Sequence, residues 1–123
     1  MKVLIADDEP VALQVLREHV ESIPSLEIAG EASTGKETLQ RILDLDPDVV
    51  LLDQQMPELD GLAVVRSLRG ARTPLIIFIT AFEQHALEAF EVGAVDYLLK
   101  PVRRERLERA IAAVQHHLGV PLK

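Results

Sequence analysis

The sequence predicts a single α/β domain in which a parallel sheet of five strands is covered by helices on both faces. Three observations carry that reading. Short apolar runs alternate with stretches whose apolar residues recur at helical spacing, five of each. Such alternation implies parallel strands, because each parallel connection needs a crossover that is usually a helix. The runs are continuous rather than alternating, as strands buried on both faces are. A chain of 123 residues is the size of one domain. It buries roughly two-thirds of its unfolded surface on folding, enough for a core without covalent staples.

Each element has its own signal. Val3-Leu4-Ile5-Ala6 is the first strand and ends in Asp7-Asp8. From Pro10, Val11, Leu13, Val15, Leu16, His19, Val20 and Ile23 recur at helical spacing. Leu26 to Ala32 reads as the second strand, and Thr34 to Leu45 as the second helix. Thr34-Gly35-Lys36-Glu37 is a capping box, whose hydroxyl and carboxylate would satisfy orphan backbone N–H groups. Val49-Val50-Leu51-Leu52 is the third strand and ends in Asp53; Leu62 to Leu68 is the helix after it. Leu75 to Ile79 is the fourth strand, ending in Thr80, and Ala86 to Val92 is helical. Val95 to Leu99 is the fifth strand, ending at Lys100-Pro101, and Arg103 to Leu118 is the last helix. Pro47, Pro57, Pro74 and Pro101 sit at element edges, and Gly119 and Pro121 stop the last helix. The domain is expected over residues 1–118, with 119–123 as a tail or the start of a linker.

Composition removes several function classes. Without Cys there are no disulfides, zinc–thiolate sites, iron–sulfur clusters or cysteine nucleophiles. The net charge of −7 argues against nucleic-acid or anionic-membrane binding by the domain as a whole. No apolar run approaches the ~20 residues of a membrane span. Charge also comes too soon after Met1 for a signal peptide, so a cytoplasmic location is expected. The charge is uneven. Residues 1–60 hold 14 acids and 4 bases (−10), and residues 61–123 hold 6 acids and 9 bases (+3).

Ligands of open α/β sheets bind beyond the carboxyl ends of the strands, at a switch in strand order. Four of the five strands deliver polar residues there: Asp7-Asp8-Glu9, Asp53, Thr80-Ala81 and Lys100-Pro101. The second strand, ending in Glu31-Ala32, delivers nothing comparable. Alone, each residue has an ordinary explanation. Asp8 or Glu9 would cap the helix starting at Pro10, Lys100 would be a solvated turn residue, and Thr80 a β-branched strand end. Together they would be an accident repeated four times. Asp7, Asp8 and Asp53 brought together repel one another, and a hard divalent cation such as Mg²⁺ relieves that repulsion. A lysine and a threonine hydroxyl complete a set suited to phosphoryl transfer, with a carboxylate as nucleophile.

These motifs resemble the receiver domain of two-component response regulators over about residues 2–118. The matching segments are Asp7-Asp8-Glu9, Asp53-Gln54-Gln55-Met56-Pro57 with Asp60-Gly61, Thr80-Ala81, and Asp96-Tyr97-Leu98-Leu99-Lys100-Pro101. Jointly they are highly specific, and any one alone is weak. The resemblance implies a flavodoxin-like, doubly wound sheet of order 2-1-3-4-5 with five helices. It implies that Asp53 accepts a phosphoryl group from a sensor histidine kinase. Asp8 and Asp53 would ligate Mg²⁺ directly, Asp7 would hold its water shell, and the Gln55 carbonyl would complete the coordination. Lys100 would pair with phosphoryl or carboxylate oxygen, Thr80 would bind the phosphoryl group, and Tyr97 would be the switch aromatic. The Lys100–Pro101 peptide would be cis. Phe82 and Gln55, each two residues past a site residue, would gate water, with Phe82 slowing hydrolysis. The chain would be a signalling phosphoacceptor rather than an enzyme, its output face formed by the fourth helix, fifth strand and fifth helix. The stretch from Thr80 to Val102 is similar to receivers that precede LytTR-type DNA-binding domains. Such a domain would come after residue 123 if the chain is a piece of a longer protein, and a stand-alone receiver is the other reading.

Other signals are weaker. Gly30 with Gly35-Lys36 has P-loop spacing, but Glu37 stands where Ser or Thr should meet Mg²⁺. No Gly-x-Gly-x-x-Gly comes after the first strand. The four His residues, His19, His85, His116 and His117, have no metal-ligand spacing, and His116-His117 suits a helix C-terminus. Arg103, Arg104, Arg106 and Arg109 form a basic stretch. It reads as a solvated face, or as an interdomain or homodimer contact in which Arg side chains pair with acids such as Glu88, Glu91 or Asp96 of a second copy. A metal-dependent phosphatase would use the same groups, but Gln54 and Gln55 come after Asp53 where such hydrolases place an Asp-x-Asp pair. A purely structural or dimerising module is the third class.

Overall fold

A computed structural model describes residues 1–68 and 73–119; Pro121 and the rest of the expected tail beyond Gly119 lie outside the described residues. Five strands form one parallel sheet: β1 (Lys2–Ala6), β2 (Glu27–Ala32), β3 (Val49–Leu52), β4 (Leu75–Thr80) and β5 (Asp96–Leu99). Their order is β2-β1-β3-β4-β5, so the chain reverses direction across the sheet between β1 and β3. The helices are α1 (Pro10–Glu21), α2 (Gly35–Leu45), α3 (Gly61–Ser67), α4 (Ala86–Glu91) and α5 (Arg104–Leu118). The expected fold class is therefore the observed one.

Several boundaries move by a residue or two, as helix ends and strand starts do. Val95 precedes β5 but still donates to Ile76 O at 2.8 Å. Ile23 lies past α1 yet stays in the core. A 3₁₀ turn (Glu83–His85) leads into α4, which is only six residues long. The box at α2 is offset: Thr34 Oγ1 accepts from Glu37 N at 3.0 Å, but Glu37 Oε1 accepts from Ser33 N at 2.7 Å rather than from Thr34. Two orphan donors are satisfied all the same.

Alternate residues of the buried strands face opposite sides. Val3, Ile5, Val49, Leu51, Ile77 and Ile79 pack with Leu16 and Val20 of α1 and with Leu107, Ile111 and Val114 of α5. Leu4, Val50, Leu52, Ile76 and Phe78 pack with Ile42 of α2, Leu62, Val64 and Val65 of α3 and Ala89 of α4. Each fully buried side chain of this size stabilises the fold by roughly 1.5–3 kcal/mol before entropy is counted. The sheet is thereby clamped from both faces, and its strand ends are held where the core puts them.

Glu31 on β2 meets Arg17 of α1 in a two-pronged ion pair, Nε–Oε2 2.6 Å and Nη2–Oε1 2.7 Å. The guanidinium holds the Glu31 carboxyl below its ordinary pKa. A depressed carboxyl adds stability that is present above the unfolded pKa and lost as pH falls through the folded one. Glu31→Gln should therefore lower stability at neutral pH by up to about 1 kcal/mol, since the pair is partly solvated. Denaturant titrations repeated at falling pH should show the deficit closing below the ordinary glutamate range. A deficit unchanged at low pH would mean the loss is not electrostatic.

Candidate functional site

Main-chain bonds set the site residues side by side. Asp53 N donates to Ala6 O at 2.9 Å, and Asp7 N donates to Ala32 O at 3.0 Å, so the residues leaving β1 and β3 emerge together. Lys100 N donates to Thr80 O at 2.9 Å and ties the ends of β5 and β4 in the same way. The Lys100–Pro101 peptide is cis, as expected. Gln54, buried beneath the site and given no role by the sequence pattern, fixes the loop. Its backbone O accepts from Gly61 N and its Oε1 from Leu62 N, both at 2.8 Å. A Cβ on Gly61 would lie 2.6 Å from Asp53 O, so only glycine allows this close approach. Asp60 Oδ1 accepts from Ala63 N at 2.8 Å and caps α3.

At the mouth of this edge, Asp7, Asp8, Glu9 and Asp53 each offer an oxygen within 4.8 Å of the others. Asp7 and Asp53 are buried, and Asp8 and Glu9 are exposed. Lys100 Nζ sits among them, 2.7 Å from Asp7 Oδ2, 2.9 Å from Glu9 Oε1 and 3.1 Å from Asp53 Oδ2. Burial alone would lower the pKa of the Lys100 ammonium. Its contacts with Asp7, Glu9 and Asp53 outweigh that and hold it above the ordinary lysine value. Burial pushes the Asp7 carboxyl above its ordinary pKa, despite Lys100 and the bond its Oδ1 accepts from Glu9 N at 2.9 Å. Asp7 Oδ2 has the ion-pair distance to Lys100 but no hydrogen bond of normal geometry.

The expected side-chain cap on α1 is not formed. Glu9 occupies the cap position, but its side chain makes no capping bond and reaches Lys100 instead. The acidic stretch made Glu9 visible as a charge; its partner, distant in sequence, was not legible.

The remaining site residues lie close by. Asp8, Glu9, Asp53, Gln55, Ala81, Phe82 and Lys100 line a cleft of about 330 Å³. Thr80 is fully buried, and its Oγ1 lies 3.4 Å from Phe82 N. Tyr97 is half-buried against Phe78, and its hydroxyl donates to Phe82 O. The basic stretch is partly spoken for within the chain. Arg106 pairs with Asp96 at 3.0 Å, Arg104 with Glu108, and Glu88 with Arg66 at 3.3 Å. Asp96 and Glu88 are thus not free acids for a second copy.

A model of the response regulator receiver domain family matches residues 3–112. This chain belongs to that family. Among curated proteins, the transcriptional regulatory protein BtsR of Escherichia coli K12 is 44% identical over 115 residues, covering 94% of this chain and 48% of BtsR. The chain thus spans about half the length of such relatives. Among solved structures, the response regulatory domain of mrkE from Klebsiella pneumoniae is 34% identical, with a TM-score of 0.89, covering 97% of this chain and 98% of that one. A chain of the CheX–CheY–BeF3–Mg²⁺ complex from Borrelia burgdorferi is 25% identical, with a TM-score of 0.85, covering 93% and 88%. The chain is a receiver module of two-component signalling rather than a classical enzyme, and receivers typically bind Mg²⁺ at such an acidic pocket.

The donor set here fits that ion: hard carboxylate oxygens only, one of them on a buried Asp7 atom without a normal hydrogen bond, beside an exposed Asp8 that leaves room for water. Because Asp7 has a raised folded pKa, its ionised form costs stability above that pKa, and the cost vanishes as pH falls below the ordinary aspartate range. Asp7→Asn should therefore raise the melting temperature of the metal-free protein by several degrees at neutral pH and leave it unchanged in acid. A lower melting temperature at neutral pH would refute this balance.

Proposed function

We propose that this receiver accepts a phosphoryl group on Asp53 from a sensor histidine kinase and passes the signal to an output that controls transcription. The observation that supports it most is Lys100 held within 3.1 Å of Asp53 at the rim of a carboxylate cluster. An Asp53 carboxylate oxygen forms the bond to phosphorus as the bond to the kinase imidazole breaks, and the imidazole keeps that electron pair. Asp8 and Asp53 would hold Mg²⁺ directly, with the Gln55 carbonyl, and Asp7 would hold it through water. When bound, the cation neutralises charge on the carboxylate and phosphoryl oxygens. Lys100 neutralises a further oxygen, and the Thr80 hydroxyl donates to the phosphoryl group. Phe82, on the wall of the cleft, restricts water.

The new group brings about −1.5 to −2 charges and three acceptor oxygens. Thr80, drawn toward them, leaves Phe82 N, and Tyr97 moves with the Phe82 backbone. The face of α4, β5 and α5 is the output surface, where Leu87, Phe90 and Leu99 are 78, 50 and 46% exposed. A second copy of the chain is the partner proposed for it. BtsR is a transcriptional regulatory protein about twice this length, which favours a neighbouring output domain; the resemblance of the Thr80 to Val102 stretch is what points to a DNA-binding domain of LytTR type. The domain of residues 1–118 would then be cytoplasmic and would not itself bind DNA.

Acetyl phosphate with Mg²⁺ should add one phosphoryl group, mapped to Asp53 by peptide mass, and Asp53→Asn should abolish labelling while retaining its fold. Undiminished labelling of Asp53→Asn would overturn the assignment. Sedimentation should show the particle mass doubling when beryllofluoride and Mg²⁺ are added; a single chain in both conditions would remove the homodimer.

A further inference from the structure

Glu9 is the one member of the carboxylate cluster with no place in the proposed reaction. Its position would make it the cap of α1, yet its side chain caps nothing. It leans across the cleft to Lys100, with Oε1 2.9 Å from Nζ, although its side chain is 65% exposed and free to turn into water. Lys100 Nζ donates to Glu9 Oε1 and Asp53 Oδ2 and lies at ion-pair distance from Asp7 Oδ2, so Glu9 holds one of the two hydrogen bonds that fix the ammonium. Asp7 and Asp53 are fixed by the strand ends, whereas Glu9 hangs over the open mouth. It is therefore the neighbour that can let go.

We propose that Glu9 is a positioning residue that holds the Lys100 ammonium at the mouth of the cleft and must yield it before a phosphoryl group can settle on Asp53. This rests on the phosphoacceptor reading of Asp53. A phosphoryl oxygen entering the cleft competes with the Glu9 carboxylate for the same proton donor, and the carboxylate also repels a dianionic phosphodonor. Glu9 thus slows the transfer and sets how readily small phosphodonors charge the protein.

The test is the rate of Asp53 labelling by acetyl phosphate at saturating Mg²⁺, read from the intact mass. In that step the Asp53 oxygen bonds to phosphorus as acetate leaves with the pair from the broken O–P bond. Glu9→Gln keeps the side-chain length and removes the charge; labelling should rise roughly three- to tenfold. Glu9→Asp keeps the charge but is one methylene too short to reach Nζ; it should also label faster, by a smaller factor. A parental rate in Glu9→Asp would mean that charge alone matters and would overturn the positioning role, as would a parental rate in Glu9→Gln. The ¹³Cε resonance of Lys100, recorded without phosphodonor or metal, should shift in both variants. If the parent is not labelled at all, the phosphoacceptor reading fails. The resonance then separately decides whether Glu9 holds the ammonium, an unmoved signal overturning that contact.

Discussion

One ammonium among four carboxyl groups is the constraint on which the functional edge depends. The main-chain bonds from Asp53 to Ala6 and from Asp7 to Ala32 hold the ends of β3, β1 and β2 in register and bring the buried carboxyls of Asp7 and Asp53 to one edge. Like charges held in a poorly solvated place are costly unless a cation answers them. Lys100 is that cation, and its own position is set by the bond from its backbone N to Thr80 O. The sheet therefore makes a charge deficit by construction, and the fold tolerates it because the core on both faces is fully packed. A site short of positive charge takes up a divalent cation readily, which links the rigidity of the sheet to the proposed chemistry.

The topology explains why the deficit falls where it does. β1 and β3 are neighbours in space, and the connections from them leave toward opposite faces. The crevice between those departures is the place where a parallel sheet opens. Gly61 lets the loop after β3 fold back against Asp53 O, and the Gln54 side chain fixes the start of α3. The loop that carries Gln55 into the cleft is thereby anchored at both ends.

Much of this was legible in the sequence, for physical reasons. A short, β-branched apolar run such as Val49 to Leu52, bounded by Pro47 and Asp53, reads as a strand buried on both faces, and the residues just past such strands in a parallel sheet share one edge. That alone brings Asp7, Asp8, Asp53, Thr80 and Lys100 together. Partners chosen by side-chain reach lay beyond it. Glu9 looked like a cap because Pro10 starts a helix, yet an ammonium 91 residues away outcompetes the helix N–H groups. Asp96 looked available to a second copy, yet Arg106 of the same chain, in the first turn of α5, pairs with it. The Gln54 amide, inside an otherwise site-forming motif, serves the backbone of α3. Local pattern fixes where a side chain starts, and the final packing decides which of several polar neighbours it meets.

Phe82 lies between the edge and the proposed output face. Its backbone N faces the Thr80 hydroxyl, and its backbone O accepts from the Tyr97 hydroxyl, so both proposed switch residues hold the same peptide segment. The elements just beyond Phe82 are weakly built. The 3₁₀ turn has no buried residue, and α4 has six residues with only Ala89 buried. A helix that short has little stability of its own and depends on the contacts at its ends. The Thr80 hydroxyl, at the end of β4, accepts from Phe82 N, and in the proposed switch it would give up that contact as it turns to donate to a phosphoryl oxygen on Asp53. Moving it costs one long hydrogen bond of 3.4 Å, a weak one by distance. In the proposed switch, charge gained at Asp53 would reach α4, the shortest of the described α-helices, which also carries the exposed Leu87 and Phe90. The packed strands fix the site, and the proposed response falls to this short helix.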